Sequence, residues 1–439
     1  MIMKTRMIPD GKANLKKLPV YYHENAEYLY YPITNARCPE GETCVIDGQH
    51  VKVGELIGTR KAAFFEQPIH STVSGKIIAH EKRHDEFGKL VNYVIIKNDM
   101  QYTMHESIVD RSEEEIAALT KADFVEITKD MGLVGLGGSG FPTYIKLNTD
   151  KPIDVVVANG VECEPYLISD YELMMNEPHW VIKGLIYTMR SSGAKKGVIA
   201  IKKKYRDIKV VIDFALKEYP DYDIEVVMVG NHYPSGWELE TVKGAIGKKI
   251  PQFELTANHG VLIFNVSTLA TIFKAVKHRM PLLQRFFTIS GNGIENVSFR
   301  VRVGTRIKDL VDIAGGYKDP AIPKVLVLGG PMMGTNTPSD DVVITNTTTS
   351  LIVFNNEEYF EEPCIHCAAC VYSCPVKIEP VQIMNALKDG DMEALELLNV
   401  NKCIECGLCS FVCPSKIHLT DYMRQGKQEL REVQNASNR

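Results

Sequence analysis

Long apolar runs are missing from this chain. No stretch approaches the roughly 20 consecutive apolar residues that span a bilayer. The opening MIMKTRMIPDGK carries charges with no apolar stretch behind it, so a secretory leader is not expected. The chain is therefore expected to be cytoplasmic, with membrane contact made only through a partner. A strong charge of either sign is missing as well: 50 Lys and Arg stand against 55 Asp and Glu, a formal charge of −5, which leaves no basic footprint for nucleic acid. Cysteine is scarce over most of the length, because eight of the eleven fall in the last fifth. A secreted disulfide framework distributes its cysteines over a small domain, so this crowding predicts metal binding in a reducing compartment.

What is present divides into four parts. At 439 residues, 45% apolar and 24% charged, the chain has material for about three domains and a small fourth, at about 150 residues each. Residues 1–105 contain short β-type runs separated by turns, TCVIDGQHVKVGELIG, STVSGKIIAHEK and LVNYVIIKND, which predict a small barrel or sandwich. Over 106–286 strands and helices alternate: DVVVANG, VIKGLIYTMRSSG, GVIAIK, RDIKVVIDFALKEY, DIEVVMVG. Repeated βα units of this size predict a parallel sheet covered by helices. Residues 287–350 return to short strands with one helix, RIKDLVDIAGG, which predicts a compact sheet with a helix across it. Residues 351–439 open with the acidic EEYFEE segment and hold the cysteine-rich end, helical between and after its clusters. The expected fold class is multidomain, α/β plus α+β.

The cysteines carry the clearest chemistry. CIHCAACVYSCP (364–375) and CIECGLCSFVCP (403–414) both read C-x2-C-x2-C-x3-C-P. Three closely spaced thiolates can wrap one face of a cubane while the fourth, carried off by the next turn, ligates the other cluster. Cys364, Cys367, Cys370 and Cys413 are thus expected to hold one 4Fe-4S cluster, and Cys403, Cys406, Cys409 and Cys374 a second. The alternative is two zinc sites of four cysteines each, although zinc favours paired C-x2-C hairpins over this triple spacing. Two clusters sharing ligands lie close enough for electrons to pass, so this end reads as a wire. His366 and Glu405, between ligands, are candidates for tuning by charge or for simple solvated turn positions.

GLGGSGFPT (135–143) matches G-x-G-x-x-G, yet it does not read as a dinucleotide fingerprint. That motif follows a strand, whereas KADFVEITKDMGLV upstream has helical spacing ending at Gly132, and the first clear strand comes afterwards. The loop does offer backbone N–H groups with no side chains in the way, which suits a phosphate or a flat ring. NGVECEPY (159–166) puts Glu162 and Glu164 at the carboxyl end of the first strand, where open α/β sheets bind ligands. Lys146 adds a cation.

GLGGSGFPTYIKL with NGVECEPYLISD resembles the flavin site of the superfamily containing the flavin-bearing subunit of respiratory complex I and the C subunit of the Rnf electron-transport complex. YPSGWELETVKGAIGKKIP (233–251), FNVST (264–268) and GGPMMG (329–334) are similar to further family segments. The Rnf branch fits better: Leu136 stands where the complex I subunit usually has Arg, PIHSTVSGKI lies in an N-terminal β-domain, and two cysteine motifs close the chain instead of one. The resemblance, from about residue 40 to about 425, implies a barrel-sandwich hybrid domain, a Rossmann-like FMN domain, a β-grasp domain and a helical ferredoxin-like domain. Residue by residue, it implies that Gly135, Gly137, Gly138, Gly140 and Lys146 cradle FMN. Asn159, Glu162 and Glu164 would lie at flavin and nicotinamide, the two glutamates with a catalytic role, and Tyr233, Gly236, Glu238 and Asn265 would complete the pocket. Phe141 is a candidate ring for stacking or for core packing, and Trp237 stands where the family has a small or acidic residue.

The function so implied is hydride exchange between NAD(H) and FMN, with single electrons passing through two 4Fe-4S clusters to or from a partner redox protein. That partner is ferredoxin-type or another Rnf-like subunit, with the chain peripheral on the cytoplasmic face of the membrane. A soluble reductase of the same build, serving a corrinoid or a reductase partner, is the second reading, and a non-catalytic metal-binding scaffold the third. Of the other cysteines, Cys38 and Cys44 are expected as free thiols, their spacing also permitting a disulfide or metal pair. Cys163 is expected as a small packing residue, with a redox thiol near the flavin as its alternative. No lysine sits at a hairpin tip for lipoyl attachment, Lys76 following Gly75, so the β-domain is expected to have a docking role.

Overall fold

The computed structural model describes residues 7–357 and 360–437. Residues 1–6 of the opening stretch and Glu358 and Tyr359 of the acidic segment lie outside it. The central layer is a parallel sheet of four strands in the order Asp223–Val229, Lys196–Lys202, Val155–Gly160, Val261–Asn265. Numbered along the chain this is 3-2-1-4, the order of a doubly wound sheet, and the order reverses between the first and fourth strands. Val156, Val157 and Ala158 are fully buried, as expected of a strand covered on both faces; each buried valine contributes about 1.5–3 kcal/mol. Two covering helices, Pro178–Ser192 and Val266–His278, approach closely at Gly184. A Cβ there would stand 1.9 Å from the carbonyl oxygen of Leu269, so only glycine permits this crossing.

The N-terminal β-domain is two antiparallel sheets. One has four strands, Tyr28–Pro32, Leu90–Asn98, Gly75–His84 and His50–Val51; the other has three, Glu40–Thr43, Leu56–Lys61 and Glu66–His70. Leu29, Ile57, Val73, Ile77, Val94 and Ile96 fill the space between them. A six-stranded mixed sheet is built mainly from the segment after residue 283, with helix Ile307–Ile313 packed on it.

This sheet bridges all three expected boundaries, its strand Gln284–Ser290 running through the one at 286. Its edge strand Val20–His23 comes from the first hundred residues and pairs in parallel with Val297–Arg302, and strand Ser350–Asn355 runs through the division drawn at residue 350. Strand pairing ignores sequence distance, so an edge can be completed by residues far away in the chain. Before that strand, the segment around Lys12 and Leu15 packs on the central domain: Leu15 lies in its core.

The cysteine-rich end is helical, as expected. Its spacer is two helices, Pro380–Lys388 and Met392–Leu397, because Gly390 has φ +68 and interrupts the run. The last helix is Leu419–Ser437. No helix among the described residues is long and apolar enough to cross a membrane.

Candidate functional site

The glycine loop follows helix Lys121–Asp130, as the sequence spacing predicted, and precedes helix Thr143–Leu147. The upstream helix ends at Asp130, and Gly132, two residues on, turns the chain at φ +63. The loop is closed at its base by Gly135 N–H to Phe141 O (2.8 Å) and Gly140 N–H to Gly135 O (3.0 Å). Leu136, buried beneath, donates its N–H to Thr268 Oγ1 (2.9 Å). The N–H groups of Gly137, Gly138 and Ser139 have no acceptor among the described residues. A Cβ at Gly138 (φ +98) would meet nothing within 4 Å, so this turn opens on empty space, whereas one at Gly137 would press the Asn265 amide at 3.1 Å.

That space is a cavity of about 1370 Å³ at the carboxyl ends of the first and fourth strands of the parallel sheet, where the strand order reverses. A drug-sized pocket holds roughly 300–1,000 Å³, so there is room here for two ring-bearing ligands. Asn159 and Asn265 end the two flanking strands. Asn159 Nδ2 donates to Gly236 O (2.9 Å); Asn265 caps its helix by accepting from Ser267 N–H (2.9 Å) and donates to Asp170 Oδ2 (2.6 Å). Gly236 is required by the close approach of Cys163, whose Sγ would lie 2.8 Å from a Cβ. Cys163 is a free thiol, and burial pushes it up to about 11.

The two glutamates have different surroundings. Glu162, at φ +42 and 9% exposed, turns its carboxylate towards Lys12 Nζ (3.3 Å) and accepts from Asp170 N–H (2.7 Å). Lys12, 1% exposed, also donates to the Glu162 carbonyl (2.8 Å). Burial raises Glu162 to about 7, against the opposing pull of Lys12. Glu164 accepts from Tyr233 Oη (2.9 Å) and from Met332 N–H (3.0 Å), and burial raises it too. Gly330 passes so near that a Cβ there would stand 1.9 Å from Glu164 Oε2. GGPMMG is thus the strap that seats Glu164.

Lys146 does not stand free for a phosphate: its Nζ lies 2.9 Å from Glu238 Oε1. The pair is partly exposed, and the charge of Lys146 is matched by Glu238. Tyr233 is fully buried behind Glu164 and packs against Cys406 and Leu408 instead of lining the cavity. Phe141 and Trp237 both line it. The sequence reading missed Lys12, Asp170, Arg37, Phe253 and the Thr345–Thr349 segment, which also reach this site. Only Phe253, exposed in a polar run, carried a visible signal.

At the cysteine-rich end the two motifs share a backbone shape. His366 and Glu405 have φ +54 and +55; Ala368 and Gly407 have φ +58 and +76. The turn directs N–H groups at sulfur: His366 N–H lies 3.4 Å from Cys364 Sγ and Glu405 N–H 3.3 Å from Cys403 Sγ. A small cavity is bounded by Cys403, Cys406 and Cys409 together with Cys374 from the other motif. Cys370 packs together with Cys364, Cys413 and, from the first group, Cys409, and Cys367 is exposed. Among the described residues no three His, Cys, Asp or Glu side chains converge on one point as a single-ion site requires. Glu405 is ion-paired to Lys427 and Arg424, which hold it below the usual carboxylate range. Cys38 is buried and Cys44 exposed, both as free thiols.

Three family models match successive parts of the chain. Residues 6–101 match the RnfC barrel sandwich hybrid domain, 128–274 the Nuo51 FMN-binding domain and 363–418 a 4Fe-4S dicluster domain. The C subunit of the Na+-translocating ferredoxin:NAD+ oxidoreductase complex of Acetobacterium woodii is 32% identical over 384 residues, 85% of this chain and 84% of that relative. The chain belongs to the RnfC family. A second member, the C subunit of the proton-translocating ferredoxin:NAD+ oxidoreductase complex of Clostridium ljungdahlii, is 30% identical over 399 residues, 89% of this chain and 85% of that one. The fold also resembles the NAD+-reducing [NiFe]-hydrogenase in its air-oxidized state, with a TM-score of 0.50 and 18% identity over 69% of this chain and 63% of that one. As an RnfC-family protein the chain has an electron-transfer role based on FMN and iron–sulfur chemistry.

Proposed function

We propose that this RnfC-family chain is the nicotinamide-linked entry or exit point of an Rnf-type complex, exchanging hydride between NAD(H) and FMN and relaying single electrons through two 4Fe-4S clusters. The observation that carries it is the continuity between the cavity and the cysteines. Cys403 and Ile404 line the flavin-sized cavity, and Tyr233, hydrogen-bonded to Glu164, packs on Cys406.

The residues present fit these groups. The Gly137–Ser139 N–H groups and the open side of Gly138 form a cradle without side chains. Asn159 and Asn265 frame its floor, with Gly135 and Gly140 closing the turn, Gly236 behind, and Glu238 holding Lys146 at the side. Glu164, seated by Tyr233 and Met332, would orient the nicotinamide, while Glu162 fixes the turn through Lys12. A bound flavin supplies the conversion of a hydride pair into single electrons, which nicotinamide alone cannot perform.

In this reading Cys403, Cys406, Cys409 and Cys374 ligate the cluster nearer the flavin, and Cys364, Cys367, Cys370 and Cys413 the one nearer the surface. Exposed Ile365 and Tyr372 flank the outer set and suit a partner redox protein. The relatives' names supply the partners: ferredoxin and the other subunits of an ion-translocating complex, which would hold this chain at the cytoplasmic face of a membrane. The six-stranded sheet with its helix is read as β-grasp-like. An anaerobic NADH titration followed by optical and EPR spectra tests the whole: about eight irons and one FMN per chain are expected, with flavin and cluster bands bleaching together. About four irons, no flavin, or no bleaching would refute it.

A further inference from the structure

The cavity is walled by four parts of the chain, and the wall facing the glycine loop comes from outside the FMN-binding domain. Asn35 and Arg37 reach it from the N-terminal β-domain, and Thr345–Thr349 from the six-stranded sheet. Arg37 lies across the loop: a Cβ at Gly140 (φ +59) would be 3.4 Å from both Cδ and Nε of Arg37, and 3.4 Å from Thr347 Cγ2. Its backbone is fixed, because Asn35 Oδ1 accepts from Arg37 N–H (2.9 Å) and Cys38 N–H (2.8 Å). Its guanidinium has no acceptor or carboxylate partner among the described residues.

A second guanidinium lies beneath. Arg285, 7% exposed, donates to the carbonyls of Asn346 and Leu136 and so ties the threonine segment to the glycine loop. Its Nε is buried without a partner. Gly137, Gly138 and Ser139, whose N–H groups have no acceptor among the described residues, line the same space. Thr345 and Thr348 hydroxyls lie 2.8 Å apart at its edge. Carboxylates also line the cavity: Glu162, Glu164 and Asp170 at the strand ends, Glu238 paired with Lys146, Glu254 with His259, Asp150 with Lys151, and Glu86 in the β-domain beside Arg60. The cradle itself is made of donors and one free cation, which is the chemistry of a phosphate site. Lys146, the cation expected from sequence, is matched by Glu238.

We propose that Arg37 is a phosphate clamp, reaching from the β-domain over Gly137–Gly140 to hold the phosphate of a ligand in the cavity. The role rests on the reading of that cavity as the flavin and nicotinamide site. The shared chemistry is a phosphate ester, borne either by the flavin mononucleotide or by the dinucleotide. It also assigns the β-domain a part in ligand binding: its docking on the central domain completes the site.

The test uses full-length protein purified anaerobically, wild type, Arg37→Ala and Arg37→Lys, with flavin removed and titrated back. Removing a charge-assisted contact should weaken FMN binding about tenfold to a hundredfold in Arg37→Ala, leave riboflavin, which lacks the phosphate, unchanged, and be partly restored in Arg37→Lys. If the phosphate belongs to the dinucleotide, FMN binding is retained and the KM for NADH rises by that factor, while reduction by dihydronicotinamide riboside is unchanged. Either pattern supports the clamp and identifies the source. Equal losses for FMN and riboflavin, or no change for any ligand, overturn it. A wild-type protein that binds no FMN overturns the flavin reading itself. Arg37 is exposed, so unchanged iron content and circular dichroism are expected in both variants.

Discussion

Replacing Lys12 by Met tests the physical core of the acidic turn. Lys12 and Glu162 are an ion pair with side chains 1% and 3% exposed, so solvent does little to screen it. Glu162 is raised from 4.5 to about 7 chiefly by burial, with Lys12 opposing that rise. The folded protein therefore holds this proton more tightly than the unfolded chain does. Below 4.5 both states are protonated and nothing is lost. Between 4.5 and about 7 the advantage of the protonated native state fades, and above about 7 ionised Glu162 costs about 3 kcal/mol relative to an unshifted carboxyl. Removing the ammonium takes away the pull that keeps Glu162 from rising further, so at pH 8 the variant holds this carboxyl protonated where the wild type has released the proton; this adds a loss of about 1.4 kcal/mol at pH 8, a fall of about 3–6 °C in Tm for a domain of this size.

At pH 5.5 the loss is smaller. Glu162 then carries its proton in the native state of both proteins, so the pH-dependent part of the loss vanishes and only the hydrogen bond from Lys12 to the Glu162 carbonyl is missing in the variant, which makes the fall in Tm smaller than at pH 8. Thermal unfolding followed by circular dichroism and flavin fluorescence at both pH values reads the difference directly. Adding Glu162→Gln to Lys12→Met should recover most of the loss at pH 8, since a neutral amide needs no cation. An equal fall at both pH values, or no fall at pH 8, would refute the reasoning.

Glu164→Gln keeps the shape of the side chain but removes its charge; the NADH-driven reduction of flavin should fall about tenfold to a hundredfold in anaerobic stopped flow, with cluster spectra intact. Gly330→Ala puts a methyl group 1.9 Å from Glu164 Oε2 and should impair NADH reduction in the same way while FMN stays bound, read by flavin content against the rate. Cys374→Ser should remove the same EPR signal as Cys406→Ser, and Cys413→Ser the same one as Cys364→Ser; each should lower iron from about eight to about four per chain. If Cys374→Ser instead matches Cys364→Ser, each motif keeps its own fourth ligand.

Much of this organisation is present in the sequence because it depends on local regularities. The βα rhythm gave the strands Val155–Gly160 and Lys196–Lys202 and the helices between them, since period and flanking glycines are short-range signals. The twin cysteine motifs announced an iron–sulfur end through spacing alone. The context of GLGGSGFPT, after a helix and before the first strand, was enough to separate it from a dinucleotide fingerprint.

Tertiary packing decided the rest. Lys12 finds Glu162 across 150 residues of chain, Val20–His23 completes a sheet made mostly beyond residue 283, and Arg37 meets the glycine loop from another domain. Nothing in the local sequence marks such pairs, because burial and charge pairing depend on which surfaces come together. Tertiary packing likewise divided the two glutamates, committing Glu162 to a buried cation and leaving Glu164 with Tyr233 and Met332. The sequence alone determined which chemical groups this protein carries; the packed structure determined which of them are free to act, because a side chain already matched by a partner has spent its charge or hydrogen bond.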